Sequence, residues 1–265
     1  MLFIFLFIQN SISFAQETIE LDKIVITSSR HQTYVKDAPS QVTVIESKEI
    51  AESGAQNVDE LLRDVCGIDV SRRTGFTSST STVTLRGFGG QARGRTLVLI
   101  DGIPFNEIYG GEVYWNAISK EDIERIEIVP GAASGLYGPG AMGGVINIIT
   151  KKPLERKIEL NSEYGDFATR NFNLNYQDIL GKFRYSLSGG YFKTDGYIAV
   201  LPGTRKDYDI RRSKENENFN LKLFYDFDDK TQFDFGYRYY NEDVNAGRRY
   251  YYGSKELDNL NFGFK

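Results

Sequence analysis

The chain has 265 residues, a net charge of −4, 40% hydrophobic and 14% aromatic content and 26 glycines, which supports folded domains and excludes a disordered polymer. Its pI near 5.3 gives no global basic field of the kind that nucleic-acid binding needs. A single cysteine, Cys66, excludes an internal disulfide, and a single histidine, His31, excludes a His-rich metal site or a sequence-local Cys–His pair.

Residues 1–8 form an apolar run, MLFIFLFI, and Ser13-Phe14-Ala15 before Gln16 is a small-x-small pattern, so residues 1–15 read as a secretory signal that lacks the usual basic start. A buried N-terminal strand is the alternative. The run is far shorter than the ~20 residues of a spanning helix, and no other segment is long and apolar enough. That leaves a membrane β-barrel open, because its alternating strands score weakly on hydropathy.

Residues 16–153 read as a compact α/β unit with many glycine turns. Asn57-Val58-Asp59-Glu60 resembles a capping box, and Val58, Leu61, Leu62 and Val65 at i, i+3, i+4 and i+7 predict a short amphipathic helix ending at Gly67. Cys66 at its end is expected to be a small buried residue. Residues 42–45, 83–85, 97–100, 125–129 and 145–150 read as strands. Asp101-Gly102 predicts a tight hairpin turn, and Pro104 places the second arm at a sheet edge.

The segment 138–143, GPGAMG, matches G-x-G-x-x-G, but a β-type run follows it where a dinucleotide loop needs a helix. Arg86-Gly87-Phe88-Gly89-Gly90 fails similarly. There is no phosphate loop, no nucleophile elbow and no catalytic constellation. Acidic pairs such as Asp59/Glu60 and Glu121/Asp122 suit helix starts. The sequence therefore predicts neither an enzyme nor a bound cofactor.

After Pro153 the composition changes: 24 of the 35 Tyr and Phe residues lie there. Strict alternation recurs through Ile158, Leu160 and Tyr164, then Phe172, Leu174 and Tyr176, then Phe183 to Tyr191, Phe219 to Phe227, Phe233 to Tyr239 and Leu260 to Phe264. This predicts about six strands of roughly ten residues, the length of a tilted membrane strand. Residues 178–182 and 228–231 read as tight turns, and 193–218 and 241–256 as long polar loops, the asymmetry of an outer-membrane barrel. A soluble antiparallel sandwich is the alternative on pattern alone. The strand pattern is still running at Lys265, which reads as the N-terminal part of a larger barrel.

Several motifs in the first unit carry a resemblance: TLRGF at 84–88, LVLIDGIP at 97–104, IERIEIVPG at 123–131 and LYGPGAMGGVINIIT at 136–150. In order and spacing they resemble the plug domain of TonB-dependent outer-membrane receptors of the siderophore and cobalamin type. LDKIVITS at 21–28 resembles the TonB box of that family. The resemblance implies an α+β plug domain followed by the first strands of an antiparallel transmembrane β-barrel, a fragment of a 22-stranded barrel and about a quarter of its wall. The organisation expected is a signal peptide at 1–15, TonB box and linker at 16–35, plug at 36–153, and truncated barrel at 154–265.

What the resemblance implies for function is active uptake of a scarce nutrient across the outer membrane of a Gram-negative bacterium, with the plug gating the barrel. Ile24, Val25, Ile26, Thr27 and Ser28 would meet TonB and its inner-membrane energising complex; the run is also β-prone and suited to adding as a strand to a partner's sheet edge. A strand of the plug's own fold is the alternative. Arg86 and Arg125 match plug arginines that pair with barrel glutamates in the family, with a surface pair such as Arg125–Glu121 as the alternative. Substrate is sought in the loops 72–81, 91–95 and 106–116, at Arg72, Arg73, Phe76, Arg93, Asn106, Tyr109, Tyr114 and Trp115. Aromatic and Arg side chains suit an anionic, aromatic ferric siderophore. Cobalamin or haem, and a truncated or surface-binding outer-membrane protein, are the alternatives. The expected partners are TonB, outer-membrane lipid and the ligand, and no nucleic acid.

Overall fold

The computed structural model describes residues 24–29, 31–72, 75–87, 95–228, 231–249 and 251–264. The expected signal peptide and the first part of the TonB-box region lie outside the described residues. Two short strands, β1 (Ile24–Val25) and β2 (Thr33–Tyr34), pair with each other ahead of β3 (Thr43–Glu46). Helix α1 (Ser47–Glu52) starts where the Glu49 carboxylate accepts the Glu46 amide at 2.8 Å. Helix α2 (Val58–Leu61) tightens into a 3-10 turn over Leu62–Asp64. Strands β4 (Ile68–Ser71) and β5 (Thr82–Leu85) pair on their own. Strands β6 (Thr96–Ile100), β7 (Ile103–Pro104) and β8 (Ile123–Pro130), helix α3 (Ser134–Tyr137) and strand β9 (Gly144–Thr150) complete the first unit.

Its five-stranded sheet has the order β3-β8-β9-β6-β7, antiparallel except for β6 beside β9. Period-two alternation sorts its two faces. Val98, Ile100, Ile126, Ile128, Ile146 and Ile148 enter the main core with Leu61, Leu62, Leu85 and Trp115. Leu97, Leu99 and Val145 form a smaller cluster with Ala141 on the other face. Glu127 and Asn147, opposite each other in register, share that second face. Asp101 and Gly102 take φ of 53° and 85°, the two-residue turn that the sequence predicts, and β7 lies at the sheet edge.

Two local expectations are corrected. The Asn57 side chain does not cap α2; Glu60 instead reaches back to accept the Gln56 amide at 2.8 Å. Cys66 is exposed, because the turn after Asp64 carries it off the buried stripe of Val58, Leu61 and Leu62.

Strands β10 (Lys157–Gly165), β11 (Thr169–Leu180), β12 (Phe183–Thr194), β13 (Asp209–Asp226), β14 (Gln232–Arg248) and β15 (Tyr251–Phe264) form one consecutive antiparallel sheet. Its register lines up Ile158, Tyr176, Leu187, Leu221, Tyr237 and Leu260 in one row across all six strands. The adjoining row, on the opposite face, is Glu159, Asn175, Ser188, Asn220, Arg238 and Asn259. The polar row faces the first unit, and the apolar row faces away, with Ile158 66% and Leu260 60% exposed. A water-soluble sandwich needs the reverse, so the sheet has the polarity of a barrel wall around a plug.

Neither stretch expected as a long loop is loop throughout: β13 begins at Asp209, and 241–256 is strand almost throughout, with β14 running on to Arg248 and β15 starting at Tyr251. There the ladder pairs polar residues on both faces, Glu215 with Asp243 on one and Asn216 with Glu242 on the other, so no hydrophobic alternation marks it. Gly144 begins β9 at φ 140°, and a Cβ there would stand 2.4 Å from the Val129 carbonyl oxygen. Gly144→Ala is expected to cost about 3 kcal/mol or more through strain and overpacking. A lowered midpoint of denaturant unfolding checks this.

Candidate functional site

Three places in the structure gather the functional side chains. The first is the seat of the N-terminal segment. The Ile26 and Thr27 amides each donate to Glu127 Oε2 at 2.9 Å, and the Thr27 hydroxyl donates to the same oxygen at 2.6 Å. Arg125 holds the other oxygen, with Nε and Nη2 both 2.9 Å from Glu127 Oε1. Asn147 Nδ2 donates to the Thr27 hydroxyl at 3.0 Å, and the Tyr137 hydroxyl donates to the Thr27 carbonyl at 2.9 Å. Val25, Thr27, Ser28 and Glu127 are buried, whereas Ile24 is exposed. Of its described residues, then, the segment expected to meet a partner has Ile24 exposed and Ile26 half-buried, with the rest buried, and it is held chiefly by side chains of the sheet.

The second place is the contact between plug and wall. Asp122 accepts Asn175 Nδ2 at 3.0 Å, Ser188 Oγ at 2.6 Å and Asn220 Nδ2 at 3.3 Å, from three successive strands of the polar row. Burial pushes the Asp122 carboxyl up, and Lys222, the Ser188 hydroxyl and Arg238 offset this only in part. Asp101, at the hairpin turn, accepts the Thr150 amide at 2.8 Å and lies 3.7 Å from Lys222 Nζ. Desolvation acts to raise Asp101, but Lys222 and the Thr150 hydrogen bonds outweigh it and hold the carboxyl below the usual carboxylate range. Arg86 is exposed and donates to Gln41 Oε1 at 2.6 Å. Arg125 pairs with Glu127 and with Glu124 at 3.1 Å on its own strand, rather than with Glu121.

The third place is the outer end. A cavity of about 500 Å³ between plug and wall is lined by Phe76, Tyr191, Tyr197, Asn116, Lys214 and Asn218, among others. Phe76 packs on Tyr197 with ring centroids 5.4 Å apart, and Tyr197 on Phe167 at 5.6 Å. Glu242, buried in the wall, accepts Lys214 Nζ at 2.9 Å and Asn116 Nδ2 at 3.3 Å. Sequence reasoning missed Tyr197, Lys214 and Glu242, which lie in stretches read as polar loop.

The expected substrate residues separate into two groups. Tyr109 is fully exposed at a loop tip, and the half-buried Tyr114 has the Lys255 ammonium 5.0 Å above its ring. Phe76 lines the cavity. Trp115, by contrast, is 1% exposed in the main core, with its indole N–H toward the Ser81 carbonyl at 3.4 Å. Asn106 is occupied by the Val98 amide and by the Thr96 and Gly111 carbonyls, so it ties the loop to β6. Arg72 also lines the cavity, but its side chain is buried against Asp59 and Glu60; desolvation opposes its charge, but the Asp59 hydrogen bond and both carboxylates push the guanidinium up. Arg73 and Arg93 lie outside the described residues. The apolar spacing Val113, Trp115, Ala117 was the available signal that the indole points inward.

The lowered carboxyl of Asp101 gives a signed pH dependence. Its contribution is fully present above the ordinary value of 3.8 and is lost as pH falls through the depressed native value. Asp122 runs the other way, since its raised carboxyl disfavours the fold when ionised. With its side chain 42% exposed and therefore screened by solvent, Asp101→Asn is expected to lose up to about 1 kcal/mol at neutral pH and to converge with the parent in strong acid. Denaturant midpoints at both conditions check this.

Residues 35–145 match the family described as TonB-dependent Receptor Plug Domain. A vitamin B12 transporter, BtuB of Vibrio vulnificus (strain CMCP6), is 30% identical over 244 residues, 90% of this chain and 39% of that protein. The chain therefore spans about two fifths of that curated relative. The fold is similar to the ferripyoverdine receptor of the outer membrane of Pseudomonas aeruginosa, with a TM-score of 0.65 and 21% identity over 84% of this chain and 28% of that one. It is also similar to the siderophore receptor PirA from Acinetobacter baumannii, with a TM-score of 0.62 and 23% identity over 79% and 32%. Motif order, plug match and a wall with its polar face inward agree: residues 35–145 are a plug domain of the TonB-dependent receptor family, and the chain as a whole resembles the first part of such receptors of the Gram-negative outer membrane.

Proposed function

We propose that this chain is the plug and first wall strands of an energised uptake receptor for a ferric siderophore. The observation that carries the reading is the seat of residues 26–28: a β-prone segment held by plug side chains and by a two-residue ladder is a detachable handle, suited to strand addition on TonB. TonB with its inner-membrane energising complex would pull it, since a ligand of this size needs the plug to shift.

The outer end supports the ligand class. Phe76, Phe167, Tyr197, Tyr109 and Tyr114 offer stacking faces, and Lys255 supplies positive charge, which suits an anionic aromatic chelate. A cobalamin receptor is the second reading, favoured by the likeness to a vitamin B12 transporter over 90% of the chain.

Calorimetry of the full-length receptor against ferric siderophores, haem and cobalamin tests both. Phe76→Ala and Tyr109→Ala are the informative variants. Trp115→Ala is not, because loss of a core indole costs about 3–5 kcal/mol and would weaken any ligand through the fold. Tight binding of one ferric chelate, weakened about tenfold in Phe76→Ala, is the expected result. Binding of cobalamin alone selects the second reading, and no binding across the panel sinks both.

A further inference from the structure

The second face of the plug sheet carries an arrangement that the uptake reading does not by itself require. Three side chains from separate motifs converge on one residue of the handle. Glu127 of the IERIEIVPG motif, Tyr137 of the LYG turn and Asn147 of the VINIIT strand all bond Thr27, from 100, 110 and 120 residues away. They engage its amide, hydroxyl and carbonyl, so every polar atom of Thr27 is taken. The neighbouring β1 backbone is paired with β2.

The Glu127 carboxylate divides its work. Oε2 receives only the handle among its described partners, and Oε1 receives only Arg125. A buried carboxylate stripped of every partner would be costly. Here the departure of the handle empties one oxygen and leaves the arginine on the other, so the charge stays compensated in both states. Asn147 likewise keeps a second bond, accepting the Gly102 amide at 3.2 Å.

We propose that Glu127, Tyr137 and Asn147 form a latch that sequesters the handle in the resting receptor and sets how readily TonB captures it. The latched and captured states are mutually exclusive. The Ile26 and Thr27 amides that a partner's sheet edge would pair are the groups that Glu127 holds. The three are positioning residues, and the inference rests on the uptake reading for the identity of the partner.

The test uses the full-length receptor in detergent with exposed Cys66 replaced by serine and Val25→Cys as reporter, since Val25 is fully buried in the seat. Tyr137→Phe removes one hydroxyl at constant shape, and Glu127→Gln weakens the handle's acceptor. Each is expected to speed maleimide labelling at position 25 about tenfold and, measured with Val25 intact, to tighten binding of the TonB periplasmic domain to the ligand-free receptor by a similar factor. Unchanged labelling in Tyr137→Phe and Glu127→Gln, with TonB binding intact, overturns the latch. Faster labelling with no TonB binding in any form overturns the uptake reading and with it the latch's proposed role.

Discussion

The wall sheet has one face for lipid and one for the plug, and that constraint organises the rest of the molecule. With Ile158, Tyr176, Leu187, Leu221, Tyr237 and Leu260 committed outward, the next row of every strand must point at the plug. That row is polar, and polar groups removed from water need partners. The plug meets it with few residues: Asp122 serves three strands at once, and Asp101 faces Lys222. Arg238, deep in the row, bonds Asn220 Oδ1 at 2.8 Å and covers the Phe105 ring at 5.4 Å. The interface is thus built from hydrogen bonds and charges over a polar lining, not from a shared hydrophobic core. Such contacts exchange one partner for another at low net cost, as a plug that moves within a wall requires.

How much of this was legible depends on the range of the interaction. Asp101-Gly102 announced its hairpin because two adjacent residues decide the turn. The wall strands were legible because lipid and plug impose period two on each strand separately. Trp115 was misread as a ligand contact, because Gly110 and Gly111 make its loop look exposed while its burial depends on Leu62, Leu85 and other distant core residues. Asn106 was misread for a similar reason, since its partners belong to β6 and to the far end of its own loop. The Thr27 seat left no local sign at all, being assembled from side chains a hundred residues away. The polar extensions of β13 and β14 carried no signal either, since neither of their faces is apolar.

The two faces of the plug sheet divide persistence from release. The main core, with Trp115, Leu62, Ile126, Ile128, Ile146 and Ile148, lies on one face and contains no residue of the N-terminal segment. The segment lies on the other, against Glu127, Asn147 and Tyr137, where side-chain hydrogen bonds hold it. A force applied at Ile24 therefore meets the two-pair β1–β2 ladder and the Thr27 bonds before it meets any strand of the core sheet. Each of those bonds is worth about 0.5–3 kcal/mol net, with the carboxylate bonds at the upper end, whereas the core is a cooperative unit that yields only as a whole. Beyond Thr27 the polar contacts continue through Asn147 to Gly102, and from neighbouring Asp101 to Lys222 on the wall. On the uptake reading, that sequence places the contacts that must let go in order of increasing depth. The handle comes first, the hairpin next and the plug–wall seam last, with the hydrophobic core outside the path altogether.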